Sequence, residues 1–149
     1  MRLAADTNIF VYAVDERDPR KRQIAQDLVV ALIDAGASIS LQVIGELQSA
    51  LTRRLKVPAT IAADESRKLL QAFSTIVHDQ ACVEMALDEA AFGRFSYWDA
   101  LMLATCSDAA VDVLFTEDLQ DGSRFRSVRI INPFGPVGLS SSALDVLER

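Results

Sequence analysis

The sequence predicts an α/β protein in which a mostly parallel sheet is flanked by helices on both faces. Short apolar segments alternate with longer segments whose apolar residues recur at helical spacing. Several of the short segments are continuous apolar runs, which is typical of parallel strands buried on both faces. The chain has 149 residues, of which 50% are hydrophobic and 24% are charged, so we expect one core.

In the first half of the chain, turn and breaker residues mark where the elements end. Ile24, Leu28 and Leu32 recur at helical spacing. Gly36 stands where a left-handed residue ends a helix, and Pro58 breaks the next helical run. The predicted elements are a strand over residues 2–5, a helix over 8–14, a helix from 19 to Gly36, a strand over 37–41, a helix from 43 towards Pro58 and a helix over 58–74.

The second half continues the alternation and ends in a segment rich in proline and glycine. The predicted elements are a β-like segment over residues 75–78, helices over 80–92 and 97–110, a buried strand over 113–116, a turn over 117–122, a strand over 128–131 and a short terminal helix. Proline and glycine between 133 and 138 loosen the chain before that helix. We therefore predict a domain over residues 1–134 and a C-terminal tail over 135–149.

Composition limits the location and the chemistry. No apolar run reaches the roughly 18 residues that span a bilayer, and Asp6 interrupts the N-terminus before a secretion signal can form, so we expect a cytoplasmic protein without membrane contact. Cys82 and Cys106 lack partners at zinc-ligand spacing and are interpreted as core thiols. His78, the single histidine, favours a surface or strand-end role over catalysis.

Four carboxylates stand out by position. Two follow predicted strands, one lies early in a helix that follows a strand, and one lies in the first turn of another helix. Since ligand sites of parallel sheets gather at the carboxyl ends of the strands, we expect all four at one edge. They are Asp6, Glu46, Asp99 and Asp118.

Each carboxylate also has an ordinary explanation. Asp6 can cap the following helix, and Asp99 stands three residues after Ser96, as in a capping box. Glu46 can be solvated at the edge of its apolar stripe, although it shares a helix face with apolar residues, and Asp118 can belong to a polar turn. Together they are more informative, because converging like charges repel unless cations intervene. Oxygen ligands of this kind suit one or two Mg²⁺ or Mn²⁺ ions.

Four short motifs carry a family resemblance. They are DTNIF at residues 6–10, QVIGEL at 42–47, SYWDAL at 96–101 and LFTEDL at 114–119. In order and spacing they resemble the PIN-domain ribonucleases, across residues 2 to about 132, and the chain length resembles the VapC toxins of type II toxin–antitoxin systems. The resemblance implies a PIN-like three-layer fold.

The resemblance also implies residue roles. Asp6, Glu46 and Asp99 would be catalytic metal ligands, with Asp118 as the more variable fourth acid and Asp121 as its competitor. Residues that would orient these acids or a metal-bound water are Thr7, Asn8 and Thr116. The implied protein hydrolyses RNA with Mg²⁺ or Mn²⁺, forms a homodimer and is inhibited by a cognate antitoxin.

Other functions remain open. The net charge of −6 disfavours nucleic-acid binding through a general positive field, so local cations would have to hold the phosphates. Candidate phosphate contacts are Arg53, Arg54, Lys56, Arg124 and Arg126. Asn8 departs from the acid that aspartyl phosphatases need, and no Gly-rich loop ends in Gly-Lys-Ser or Gly-Lys-Thr. The alternative to a nuclease is an inactive PIN-like module that binds a protein or RNA partner.

Overall fold

The computed structural model describes residues 1–148, which fold into six strands and seven helices. The predicted fold class is confirmed. The elements are β1 (Leu3–Ala5), α1 (Thr7–Val14), α2 (Pro19–Asp34), β2 (Ser38–Ser40), α3 (Leu41–Arg53), α4 (Ala59–Ala72), β3 (Ser74–Ile76), α5 (Gln80–Ala91), α6 (Tyr97–Asp108), β4 (Val113–Phe115), β5 (Arg124–Phe125), β6 (Val128–Ile131) and α7 (Ser141–Leu147).

The strands form one sheet in the order β3-β2-β1-β4-β6-β5. Neighbouring strands are parallel except β5 and β6, which are antiparallel. The central pair is β1 and β4, in a register that sets Ala4 opposite Leu114. Both strands are fully buried, since their apolar side chains meet a helix layer on each face. Their carboxyl ends therefore lie side by side at the middle of one sheet edge.

The helices pack in two groups, which gives the molecule three layers. In one group α1 contacts α2 and α3, and α3 contacts α4; in the other, α5 packs along α6. Helix α6 is buried around most of its circumference, because every residue from Ala100 to Cys106 is buried. Both cysteines are free and buried, as predicted. Within residues 1–148, no helix is both long and apolar enough to cross a bilayer.

The structure corrects several details of the sequence interpretation. Leu41 begins α3 instead of ending a strand, because the Ser40 hydroxyl accepts a hydrogen bond from the Gln42 amide and caps the helix there. Strand β5 was missed, since a two-residue edge strand has too little pattern to detect. Ile61 of the predicted apolar face of α4 is 52% exposed, because Ala62 and Ser66 face the interior instead.

Candidate functional site

Asp6 stands at the junction of β1 and α1. Its amide donates a 2.9 Å hydrogen bond to the Phe115 carbonyl, which continues the pairing of β1 with β4 by one residue. Its carboxylate Oδ1 accepts a 2.6 Å bond from the Thr7 amide, so Asp6 is also the N-cap of α1. The capping explanation of Asp6 is therefore correct, and the cap fixes its carboxylate at the sheet edge where the sequence predicts a site.

Thr116 links Asp6 to Asp118. Its buried hydroxyl donates to Asp6 Oδ2 at 3.0 Å and accepts from the Asp118 amide at 3.2 Å. Asn8 then donates from its side-chain amide to Asp118 Oδ2 at 2.7 Å. Thr116 and Asn8, both predicted to orient the acids, thus contact the acids that follow the two central strands.

Glu46 reaches the same edge from the second turn of α3. Thr7 donates from its hydroxyl to Glu46 Oε2 at 2.7 Å, and Gln42 donates from its amide nitrogen to Glu46 Oε1 at 2.6 Å. The same Gln42 nitrogen lies 3.1 Å from the Trp98 carbonyl oxygen. The sequence reasoning missed Gln42, although its position four residues before Glu46 places both on one helix face.

Asp99 lies in the first turn of α6, where Ser96 caps the helix as the spacing predicted, but the Asp99 carboxylate bonds the Ser96 hydroxyl and not the Ser96 amide that a capping box uses. Its amide donates to Ser96 Oγ at 3.2 Å, while the Ser96 hydroxyl donates to Asp99 Oδ2 at 2.8 Å. Capping leaves the other carboxylate oxygen, Oδ1, outside this contact. Asp99 is partly buried and faces the other three acids.

These side chains line a pocket of about 160 Å³, here named the acidic pocket. Its lining residues are Asp6, Thr7, Asn8, Glu46, Ala50, Arg54, Asp99 and Asp118. Asp121 lies outside it, where its carboxylate accepts a 2.8 Å hydrogen bond from the Asn132 amide. Among the five candidate phosphate contacts, Arg54 lines the acidic pocket, whereas Arg124 and Arg126 line cavities elsewhere.

The electrostatics of the acidic pocket are unfavourable for further negative charge. Burial raises the pKa of Asp6 from 3.8 to about 6, and the nearby charges of Asp118 and Glu46 add to that rise. Hydrogen bonds from Thr7 and Thr116 partly oppose it because they stabilise the ionised form. A cation in the acidic pocket would remove the repulsion that these carboxylates exert on one another.

The donor set fits a hard divalent cation, since carboxylate oxygens are the ligands that Mg²⁺ and Mn²⁺ prefer. In the arrangement described for residues 1–148, however, no three Asp, Glu, His or Cys side chains converge closely enough to hold one ion. The acids instead engage their hydroxyl and amide neighbours. Ion binding would therefore require the Asp99 carboxylate to rotate away from the Ser96 hydroxyl.

A second, larger pocket adjoins the acidic pocket and shares Glu46 with it. This Trp98 pocket has a volume of about 430 Å³ and is lined by Leu41, Gln42, Gly45, Glu46, His78 and Trp98. His78 follows β3 and is exposed, in agreement with a surface position at a strand end. The sequence reasoning did not single out Trp98, and its place beside Asp99 in the SYWDAL motif was the available signal.

Comparison with known proteins identifies the family of this fold. The family model of the PIN domain matches residues 4–129. No curated protein sequence matches the chain. Among solved structures, VapC20 of Mycobacterium tuberculosis, described as a toxin that cleaves the sarcin–ricin loop, aligns with a TM-score of 0.62 at 19% identity, over 75% of this chain and 86% of that one.

Two further solved structures come from toxin–antitoxin complexes. A Klebsiella pneumoniae toxin–antitoxin complex aligns with a TM-score of 0.63 at 21% identity, over 90% of this chain and 98% of that one. VapBC2 of Rickettsia felis, bound to a DNA fragment from its promoter, aligns with a TM-score of 0.63 at 17% identity, over 87% of this chain and 97% of that one. At these identities the likeness shows a shared fold.

Proposed function

Since the chain belongs to the PIN-domain family, we propose that it is a metal-dependent endoribonuclease and the toxin of a toxin–antitoxin pair. The observation that carries the proposal is the convergence of four carboxylates from separate elements on one pocket at the carboxyl edge of the sheet. The PIN domains of VapC toxins are nucleases, and a solved structure of the same fold is described as a cleaving toxin.

In this proposal the four carboxylates bind the cation, and neighbouring hydroxyl and amide groups orient the carboxylates. Asp6, Glu46, Asp99 and Asp118 are the ligands of one or two Mg²⁺ or Mn²⁺ ions. When bound, the cation supplies an activated water and offsets charge on the phosphoryl oxygens. Thr7, Asn8, Thr116 and Gln42 fix the carboxylates through the hydrogen bonds described above.

Arg54 is the proposed phosphate contact. It follows directly after α3 and is the cationic member of the acidic pocket lining. A guanidinium there can donate to phosphate oxygens and steer a polyanion towards a pocket that is otherwise negative. This local cation answers the objection raised by the net charge of −6.

The partners follow from the same family. We infer a cognate antitoxin that inhibits the toxin, a homodimer and a cytoplasmic location. The antitoxin is supported by solved complexes of the same fold that are described as toxin–antitoxin assemblies. The homodimer and the location rest on the family resemblance.

The test is cleavage of a pool of cellular RNA with Mg²⁺ or Mn²⁺ by the native protein and by Asp6→Asn, Asp99→Asn and Asp121→Asn. We expect cleavage that EDTA abolishes, a loss of at least about 100-fold in Asp6→Asn and Asp99→Asn, and little change in Asp121→Asn, because Asp121 lies outside the acidic pocket. Equal cleavage by all proteins would indicate a contaminating nuclease. No cleavage by antitoxin-free native protein would favour the inactive binding module.

A further inference from the structure

The Trp98 pocket leaves apolar surface uncovered next to the proposed catalytic centre. Trp98 is 61% exposed and Leu41 is 44% exposed. The Trp98 ring packs against Tyr97 in an edge-to-face contact, with ring centroids 5.0 Å apart. Folding therefore holds an indole at the surface, where its area is available to a ligand.

The Trp98 pocket adjoins the acidic pocket. Glu46 lines both, and Trp98 directly precedes Asp99 in α6. The Gln42 amide joins them, because one nitrogen bonds the Glu46 carboxylate and the Trp98 carbonyl. A polymer whose phosphodiester lies at the acidic pocket can therefore place a neighbouring residue at the Trp98 pocket.

The lining has the chemistry of a nucleobase site. The indole of Trp98 and the imidazole of His78 offer flat faces, and Leu41 and Gly45 add apolar surface. Unpaired bases stack on such aromatic and histidine side chains. Gln42 and Glu46 add polar groups at the side towards the acidic pocket, where the edge of a base would meet them.

The charge of the molecule also favours stacking as a source of affinity. The chain carries a net charge of −6, and Arg54 is the cation in the lining of the acidic pocket. Affinity from phosphate neutralisation is correspondingly small. Stacking needs no positive field, so it can hold single-stranded RNA on an acidic protein.

We propose that the Trp98 pocket is a subsite that binds a nucleobase of single-stranded RNA next to the scissile phosphate, with the Trp98 indole as the stacking surface. This inference rests on the proposed ribonuclease function. It makes Trp98 a determinant of binding and cleavage position, separate from the carboxylates that would perform the chemistry.

The chain supplies its own probe, because Trp98 is its one tryptophan. Native protein in EDTA is titrated with a single-stranded oligoribonucleotide of about eight nucleotides while tryptophan fluorescence is recorded. EDTA prevents metal-dependent cleavage, so binding is measured alone. We expect saturable quenching, with a slope of log affinity against log salt no steeper than about −1, because stacking dominates.

Three variants, assayed with a dye-labelled oligoribonucleotide, separate stacking from a structural effect. Trp98→Ala should weaken binding about 5- to 100-fold, whereas Trp98→Phe should retain most of the affinity. The matched control is Phe92→Ala, since Phe92 is 73% exposed but lines neither pocket, and its affinity should equal that of the native protein. Thermal unfolding of each variant checks that the fold is intact.

The outcomes distinguish this inference from the proposed function. Metal-dependent cleavage without quenching, or equal binding by Trp98→Ala and Phe92→Ala, overturns the subsite and leaves the nuclease. Quenching without cleavage supports the subsite and contradicts the nuclease, and absence of both contradicts both. If the tryptophan fluorescence per molecule instead changes with protein concentration, and Trp98→Ala converts a dimer into monomers, a second copy of the chain covers the pocket. That result overturns the subsite. Quenching by a protein partner alone would also overturn the subsite.

Discussion

The Asp6 side chain stabilises the fold through one contact and destabilises it through another property. Its backbone extends the central strand pair and its carboxylate caps α1. The same carboxylate is buried near two like charges, which raises its pKa. A residue that caps a helix is ordinarily stabilising, but this one is held where its ionised form is disfavoured.

Asp6→Asn should therefore stabilise the protein at neutral pH in EDTA. Because the folded-state pKa of about 6 exceeds the ordinary 3.8, the carboxyl contributes stability below pH 4 that is lost as the pH rises through 6. The variant should be more stable than native protein at pH 7 by about 2 kcal/mol, or roughly 4–8 °C in Tm, and equal to it near pH 4.

Thermal unfolding at several pH values measures this difference. Asp64→Asn is the matched control, since Asp64 is exposed on α4 and pairs with Arg67 on the surface. Its Tm should follow that of the native protein throughout. A constant offset between Asp6→Asn and native protein from pH 4 to 7 would contradict the interpretation of Asp6.

At the residue scale, the strand ends predicted that Asp6 lies near the acids that follow β4. Asp6 and Asp118 follow buried apolar runs, and parallel strands bring such ends together. The sequence could not give Gln42 its role, because its bond to the Trp98 carbonyl joins residues 56 positions apart. Nor could it separate Asp118 from Asp121, since both lie in one turn and only the path of the chain directs them differently.

At the scale of elements, the segment before α7 differs most from its interpretation. Its prolines and glycines were taken to loosen the chain. It instead forms a tight turn, in which the Gly135 amide donates to the Gly138 carbonyl at 2.8 Å and Phe134 bridges to Leu139. Composition alone cannot distinguish the two, because glycine suits both flexible segments and close backbone approach.

Gly135→Ala should destabilise this turn. A Cβ at Gly135 would lie 2.8 Å from the Gly138 carbonyl oxygen and 3.0 Å from that of Leu139, both of them backbone atoms. We expect a loss of about 2 kcal/mol, or roughly 4–8 °C in Tm. Gly138→Ala is the control, since its Cβ meets nothing within 4 Å. Equal Tm values for the two variants would show that the turn yields to the added methyl group.

At the scale of the whole molecule, Lys21 joins parts that are distant in sequence. From α2 its ammonium contacts Glu117 Oε2 at 2.6 Å and lies 4.5 Å from the Tyr12 ring centroid. Tyr12 of α1 also bonds Glu117, and the Phe134 ring, which packs edge-to-face on Tyr12, has its centroid 5.3 Å from the ammonium. This Lys21 cluster ties α1 and α2 to the segment that carries Asp118.

Lys21→Met should lower stability by about 2 kcal/mol, because Glu117 would keep a partly buried charge without its cation. The control is Lys68→Met, whose exposed pair with Glu65 lies at a similar 2.7 Å and should leave stability nearly unchanged, because surface ion pairs contribute little. Denaturant unfolding measures both. A loss in Lys21→Met no larger than in Lys68→Met would contradict the importance of the cluster.

The alternation of apolar runs with helical spacing predicted the parallel three-layer plan, because each pattern reports how its segment is buried. It could not predict the antiparallel edge strand β5, whose two residues are too few to show a period. The pairing of β1 with β4 could not be predicted either. Sequence periodicity shows which face of an element is buried, but it does not specify which strands lie next to each other.

That adjacency has a consequence for synthesis of the chain. The bonds from Thr116 to Asp6 and from Asn8 to Asp118 each span 110 residues. A nascent chain that still holds residues 113–118 inside the ribosome lacks β4, Thr116 and Asp118. The acidic pocket is therefore completed only once Asp118, which follows Asn8 by 110 residues, has emerged from the ribosome.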